Sequence, residues 1–157
     1  MRSRLRPTIA LGGFSLLIAL LWQAPAQAHL GGDASSIDAD RQVLHAQLRT
    51  VPMQQYSVHE ITTEAGGEVR EYATPQGTVF AVTWRGPLPP DLQQLFGSYY
   101  QQYQSVATAH PRPGMHRQLR VATGDLIVQS TARPRSFGGK AYVQSLMPAG
   151  VSIADLQ

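Results

Sequence analysis

The chain has 157 residues, no cysteine, and 13 lysines and arginines against 10 aspartates and glutamates. Three of the arginines stand at positions 2, 4 and 6, leaving ten against ten, which excludes a general electrostatic pull toward nucleic acid or anionic lipid. Without cysteine there is no disulfide staple, lipid-bearing thiol or thiol nucleophile, so the fold must hold by packing alone.

The first 28 residues read as an export signal. Arg2, Arg4 and Arg6 form a basic head, Ile9 to Trp22 an uncharged, mainly apolar run, and Ala26-Gln27-Ala28 a small-residue cleavage site. The run of 14 residues would span about 21 Å as a helix, short of the ~30 Å bilayer core. Pro25 ends it just before the cleavage site. The arginines are not paired as in a twin-arginine signal, so the general secretory route is expected, with cleavage between Ala28 and His29. The expected product is periplasmic or secreted and is not inserted in a membrane. Residues 29–157 have a length that suits one domain.

In chain order, Leu30-Gly31-Gly32-Asp33 reads as a flexible lead. Ile37 to Arg49 follows as a short helix, with Asp38 and Asp40 at its positive end and Arg49 at its negative end. Three strand-like runs come next, Gln55 to Thr62, Glu68 to Ala73 and Thr78 to Trp84, divided by Ala65-Gly66-Gly67 and Pro75-Gln76-Gly77 as in an antiparallel meander. In the third run, alternation puts Phe80, Val82 and Trp84 on one face and Val79 and Ala81 on the other. Both faces are then apolar, as in a central strand.

The prolines of Arg85-Gly86-Pro87-Leu88-Pro89-Pro90 stop the sheet, and Asp91 stands where a helix would begin. Leu92, Leu95, Phe96, Tyr99 and Tyr103 recur at helical spacing, a stripe read as core, opposite a face of glutamines. A second hairpin is expected from Leu119 to Ala122 and Leu126 to Ser130, then a turn at Phe137-Gly138-Gly139. Ala141 to Leu146 is expected as a last strand, and Pro148 to Gln157 as a capping tail with Val151, Ile153 and Leu156 inward. The fold class is α+β: a three-stranded meander plus a second hairpin, packed on one main amphipathic helix, with a shorter N-terminal helix.

Val58-His59-Glu60-Ile61, Val69-Arg70-Glu71-Tyr72, Val79-Phe80-Ala81-Val82-Thr83-Trp84, Gly86-Pro87 and Pro90-Asp91-Leu92 resemble a family of small exported bacterial proteins, domain of unknown function 2844. The resemblance covers nearly all of residues 29–157 and implies export and a single domain, and it supplies no catalytic residues.

Known chemistries find little purchase. His59-Glu60 is half of a zinc-protease motif, but Thr63 stands where the second histidine belongs and the segment reads as strand. Glu68 and Glu71 fall on opposite sides of a strand, which makes them poor partners for paired-carboxylate catalysis, and Arg70 and Tyr72 share the face opposite Glu71. Small basic clusters occur at Arg112, Arg117 and Arg120 and at Arg133, Arg135 and Lys140. Cleavage before His29 would create an amino-imidazole chelate for copper, with His45, His59, His110 or His116 as a second ligand. The leading reading is a nonenzymatic exported protein, without cofactor, that binds another envelope protein or a surface polymer such as a glycan. Copper binding through His29 and an unrecognised hydrolase are the alternatives.

Overall fold

The computed structural model describes residues 29–34, 47–109 and 118–157. Seven antiparallel strands form one sheet: β1 (Gln47–Pro52), β2 (Ser57–Thr62), β3 (Glu68–Ala73), β4 (Val79–Gly86), β5 (Gln118–Thr123), β6 (Leu126–Arg133) and β7 (Ser136–Val143). Their order is β1-β2-β3-β4-β7-β6-β5. A four-stranded and a three-stranded meander are thus joined through the β4–β7 pair. β4 is the middle strand of the seven, as its apolar character on both faces predicts.

Between the meanders, residues 92–109 cross one face of the sheet as α1 (Leu92–Phe96), a 3-10 turn (Gly97–Tyr99) and α2 (Tyr100–Ala109). The Asp91 carboxylate accepts hydrogen bonds from the Gln93 and Gln94 amides at 2.9 and 3.1 Å and caps α1. The predicted stripe is core. Leu95 and Phe96 are buried, and Leu92, Tyr99 and Tyr103 pack against Val82, Trp84, Val121 and Val128 of the sheet. The Phe96 ring meets Trp84 at 5.8 Å and Tyr103 edge-on at 5.1 Å between centroids.

The lead is docked, not flexible. Leu30 is completely buried, its amide donates to the Leu95 carbonyl, and Gly31 and Gly32 exchange hydrogen bonds with Val79 at 2.8 and 3.0 Å. Gly31 at φ +79° lets the Tyr99 ring come within 2.7 Å of where a Cβ would stand. At Gly97, φ +49°, a Cβ would collide with the His29 ring. That close approach coincides with the break between α1 and α2.

Several sequence expectations change. Most of the predicted helix Ile37 to Arg49 lies outside the described residues, and its last part, from Gln47, belongs to an edge strand. The three-strand meander plus hairpin is a single seven-stranded sheet. The turn expected at Phe137-Gly138-Gly139 is at Pro134-Arg135, with Arg135 at φ +57°, and the two glycines lie inside β7. Gly139 faces Trp84 across the β4–β7 ladder, where a Cβ would strike the indole. In β4, Ala73 pairs with Val79 but Tyr72 pairs with Ala81, so Phe80 is an extra residue in a bulge. The bulge sends Val79, Val82 and Trp84 to the helix side and Phe80 and Ala81 to the other. Simple alternation cannot anticipate that switch.

Candidate binding face

The sheet face opposite the helix is divided into two parts by the residues the register brings side by side. One row across the seven strands reads Val51, Val58, Tyr72, Ala81, Tyr142, Ile127 and Ala122. The tail seals much of this apolar row: Leu156 is buried against it, and Met147 and Val151 pack beside it, whereas Ile153, expected inward, is 39% exposed. Tyr56, Tyr72 and Phe80 form an aromatic group there, with centroids 5.9 to 6.3 Å apart. Burial, then the negative charge of Asp155 and then Tyr72, raises the Tyr56 phenol above its ordinary pKa. A 3-10 turn, Ile153–Asp155, shapes the tail, with Ser152 and Asp155 forming a reciprocal cap.

Two residues further along each strand, the next row reads Arg49, Glu60, Arg70, Thr83, Lys140, Gln129 and Arg120. Beyond it comes Gln47, Thr62, Glu68, Arg85, Gly138, Thr131 and Gln118. None of these fourteen positions carries an aliphatic or aromatic side chain. The β3-to-β5 part of these rows lines a cavity of about 780 Å³, with Arg70, Arg85, Arg120 and Lys140 against one acidic side chain, Glu68, and with Trp84, Leu119, Leu156 and Gln157 also at its wall.

The electrostatics of the rows change along the sheet. On β1 to β4 the charges are matched: Arg70 Nε lies 2.7 Å from Glu68 and 3.2 Å from Glu60, while Arg49 reaches Glu60 at 3.7 Å and Arg85 Nε donates to Glu68 at 2.9 Å. These pairs are partly solvated and hold geometry more than stability. On β7 to β5, Lys140 and Arg120 have no carboxylate within ion-pair distance among the described residues. Lys140 donates instead to the main-chain oxygens of Ile153 and Leu156, both at 3.1 Å. Gln157 is held next to it: its oxygen accepts from Arg70 at 2.8 Å, Tyr72 at 2.7 Å and Thr83 at 3.2 Å. The row is therefore a set of donors, and the tail already presents acceptors to part of it.

With this arrangement in view, the chain can be placed. It belongs to the family described as protein of unknown function DUF2844, whose model matches residues 26–156. No curated protein and no solved structure matches it. The Arg-Glu-Tyr and Trp-Arg-Gly-Pro segments that carry the resemblance are the β3–β4 centre of the sheet, where Arg70 and Tyr72 hold the tail and Trp84 and Glu71 face the other way.

The sequence candidates scatter. Arg112, Arg117, His45, His110, His116 and Ala28 lie outside the described residues. Arg120 and Lys140, from two separate basic clusters, come together on the open face, and Arg133 and Arg135 stand at the β6–β7 turn. His29 packs by Gly32 and Gly97, while His59 is on β2, bonded to Thr50 at 3.1 Å and Ser57 at 3.0 Å. Among the described residues no three His, Cys, Asp or Glu side chains are grouped to hold a metal. Ser57 with His59 Nε2 has the contact a base-activated hydroxyl would use, but it lines neither the 780 Å³ cavity nor the smaller one by Pro87–Pro90. Among the described residues, no helix is long and apolar enough to cross a membrane. The sequence reading missed Arg70, Arg85, Thr83 and Gln129 as one surface; the only signal was polar residues recurring at alternate positions inside strands.

Proposed function

We propose that this is an exported, nonenzymatic binding protein that holds a component of the envelope on the open polar half of its sheet face. Residues 1–28 are the secretory signal, removed between Ala28 and His29, and the product acts in the periplasm or outside the cell. One observation carries the binding reading: the apolar row is sealed by the tail, while a cavity beside it is lined by four cationic side chains, two of which, Lys140 and Arg120, have no carboxylate partner among the described residues. A solvated face with no partner would not need that concentration in a chain whose charges otherwise balance. Export is supported by the basic head, apolar run and small-residue site. The packing of the chain from His29 and Leu30 onward suits a domain that begins there.

The absence of native cysteine makes the test direct. A fluorophore on Thr131→Cys, in the open half, should respond to a cell-envelope extract, whereas one on Gln54→Cys, outside it, should not. Equal response at both positions, or none at Thr131, refutes the surface assignment. Intact mass of protein recovered from the periplasm should begin at His29; a chain retaining Met1 refutes export with cleavage.

A further inference from the structure

We infer that the residues just after the signal form a latch, and that the signal can be removed only before the latch closes. The inference rests on the reading of Ala28 and His29 as the cleavage site and adds an order of events to it. Its basis is how little chain separates that bond from the core. His29 is the first residue beyond it and Leu30 the second, and Leu30 is completely buried in the cluster that holds Val79, Leu95 and Phe96. The Leu30 amide donates to the Leu95 carbonyl at 3.0 Å, and the Gly31 amide to the Val79 carbonyl at 2.8 Å. No linker stands between the cut and the fold.

Backbone shape decides as much as burial. A peptidase that reads a chain binds it extended, in the manner of an added strand. Here the Gly32 amide donates back to the His29 carbonyl at 2.7 Å, closing a turn over residues 29–32, and Gly31 has φ +79°, outside the extended region. The His29 ring lies where Gly97 has no Cβ, and the Tyr99 ring where Gly31 has none. Asp33 bridges to Thr78, and the Ala34 amide donates to the Gly77 carbonyl at 2.6 Å. Each residue from Leu30 to Ala34 is thus tied to α1 or to residues 77–79.

To reach the bond in the folded chain, a peptidase would have to open the turn, withdraw Leu30 from the core and break the bonds to Val79. Cutting first requires none of this. Hydrolysis adds water across the Ala28–His29 amide, leaving a carboxylate on Ala28 and an amino group on His29, and the lead then docks. A precursor that folds first keeps its signal.

The test uses full-length precursor folded in detergent micelles, purified signal peptidase and intact mass as the readout. The natural chain is compared with one carrying about ten Gly and Ser residues inserted after Ala28, which moves the bond away from the docked lead. The second comparison is Gly97→Ala, which displaces the His29 ring and leaves the sequence around the bond unchanged. Because cutting follows the population in which the lead is open, the spaced chain should be cut about a hundredfold faster than the natural one and Gly97→Ala about tenfold faster. Should Gly97→Ala not fold, the spaced chain carries the comparison. In protein that begins at His29, the Leu30 and Gly31 amides should exchange with deuterium as slowly as those inside β4. A natural precursor cut as fast as the spaced one, a folded Gly97→Ala cut no faster than the natural chain, or Leu30 and Gly31 amides exchanging like a free chain would each overturn the latch. If the spaced chain is not cut after Ala28 either, the cleavage site itself is misread and the order of events falls with it.

Discussion

Two halves of one sheet face, a few residues apart along the same strands, have opposite fates. In the first, Val58, Tyr72, Phe80, Ile127 and Tyr142 are covered by the chain's own tail. In the second, arginine, lysine, threonine and glutamine remain open beside it. The difference is one of solvation. Apolar rows gain roughly 25 cal/mol per Å² when removed from water, whereas guanidinium and ammonium groups lose hydration and stay at the surface unless fully paired. Tyr72, Arg70 and Lys140 mark the boundary, holding the tail by its main-chain oxygens and so setting where the cover ends.

The largest effect that would test this contrast is in the sealed half. Phe80, completely buried, should cost about 3–5 kcal/mol when replaced by alanine, read as a lower urea midpoint. A loss under about 1 kcal/mol would mean that the tail does not close this face. On the helix side, Gly97→Ala combines a left-handed backbone with a collision on His29, for an expected loss of about 1–3 kcal/mol. Wild-type stability in that variant would show that the docked lead contributes nothing.

At the boundary, Arg70→Gln removes the bond to Gln157 and leaves Glu60 and Glu68 facing each other, so about 1 kcal/mol should go, with faster amide exchange over 153–157. Arg120→Gln, in the open half, should change stability by less than about 0.5 kcal/mol. Equal losses for the two would erase the distinction between boundary and open surface. The smallest effect concerns pH. Because the folded Tyr56 pKa lies above the unfolded one, its neutral form supports the fold below the unfolded value, and that support is lost as pH rises through the folded value. The thermal midpoint of wild type should therefore fall relative to that of Tyr56→Phe as the pH rises in alkali, and parallel curves would remove Tyr56 as the titrating group.

Much of the fold was legible locally. Glu68 to Ala73 was predicted with its observed limits, Asp91 as the helix start, and Leu95, Phe96 and Tyr103 as core, because turn residues, caps and a 3.6-residue stripe are short-range signals. The faces of β4 were not. Both sides of that strand are apolar, so its pattern carries no register information, and only the pairing with β3 reveals the bulge at Phe80. Nor was the open face. Arg120 and Lys140 were noticed as members of separate clusters, but what joins them to Arg70 is the order β3-β4-β7-β6-β5.

The sequence by itself determined the inner strands, the main helix, the α+β class and the family, since these rest on local periodicity and on residues that stand side by side in the chain. The tertiary structure alone decided that Arg70, Lys140 and Arg120 share one row and that the tail is held on its Arg70–Thr83–Lys140 part. Cross-strand neighbours up to about sixty residues apart are fixed by register, which the chain acquires only when both meanders join at β4 and β7.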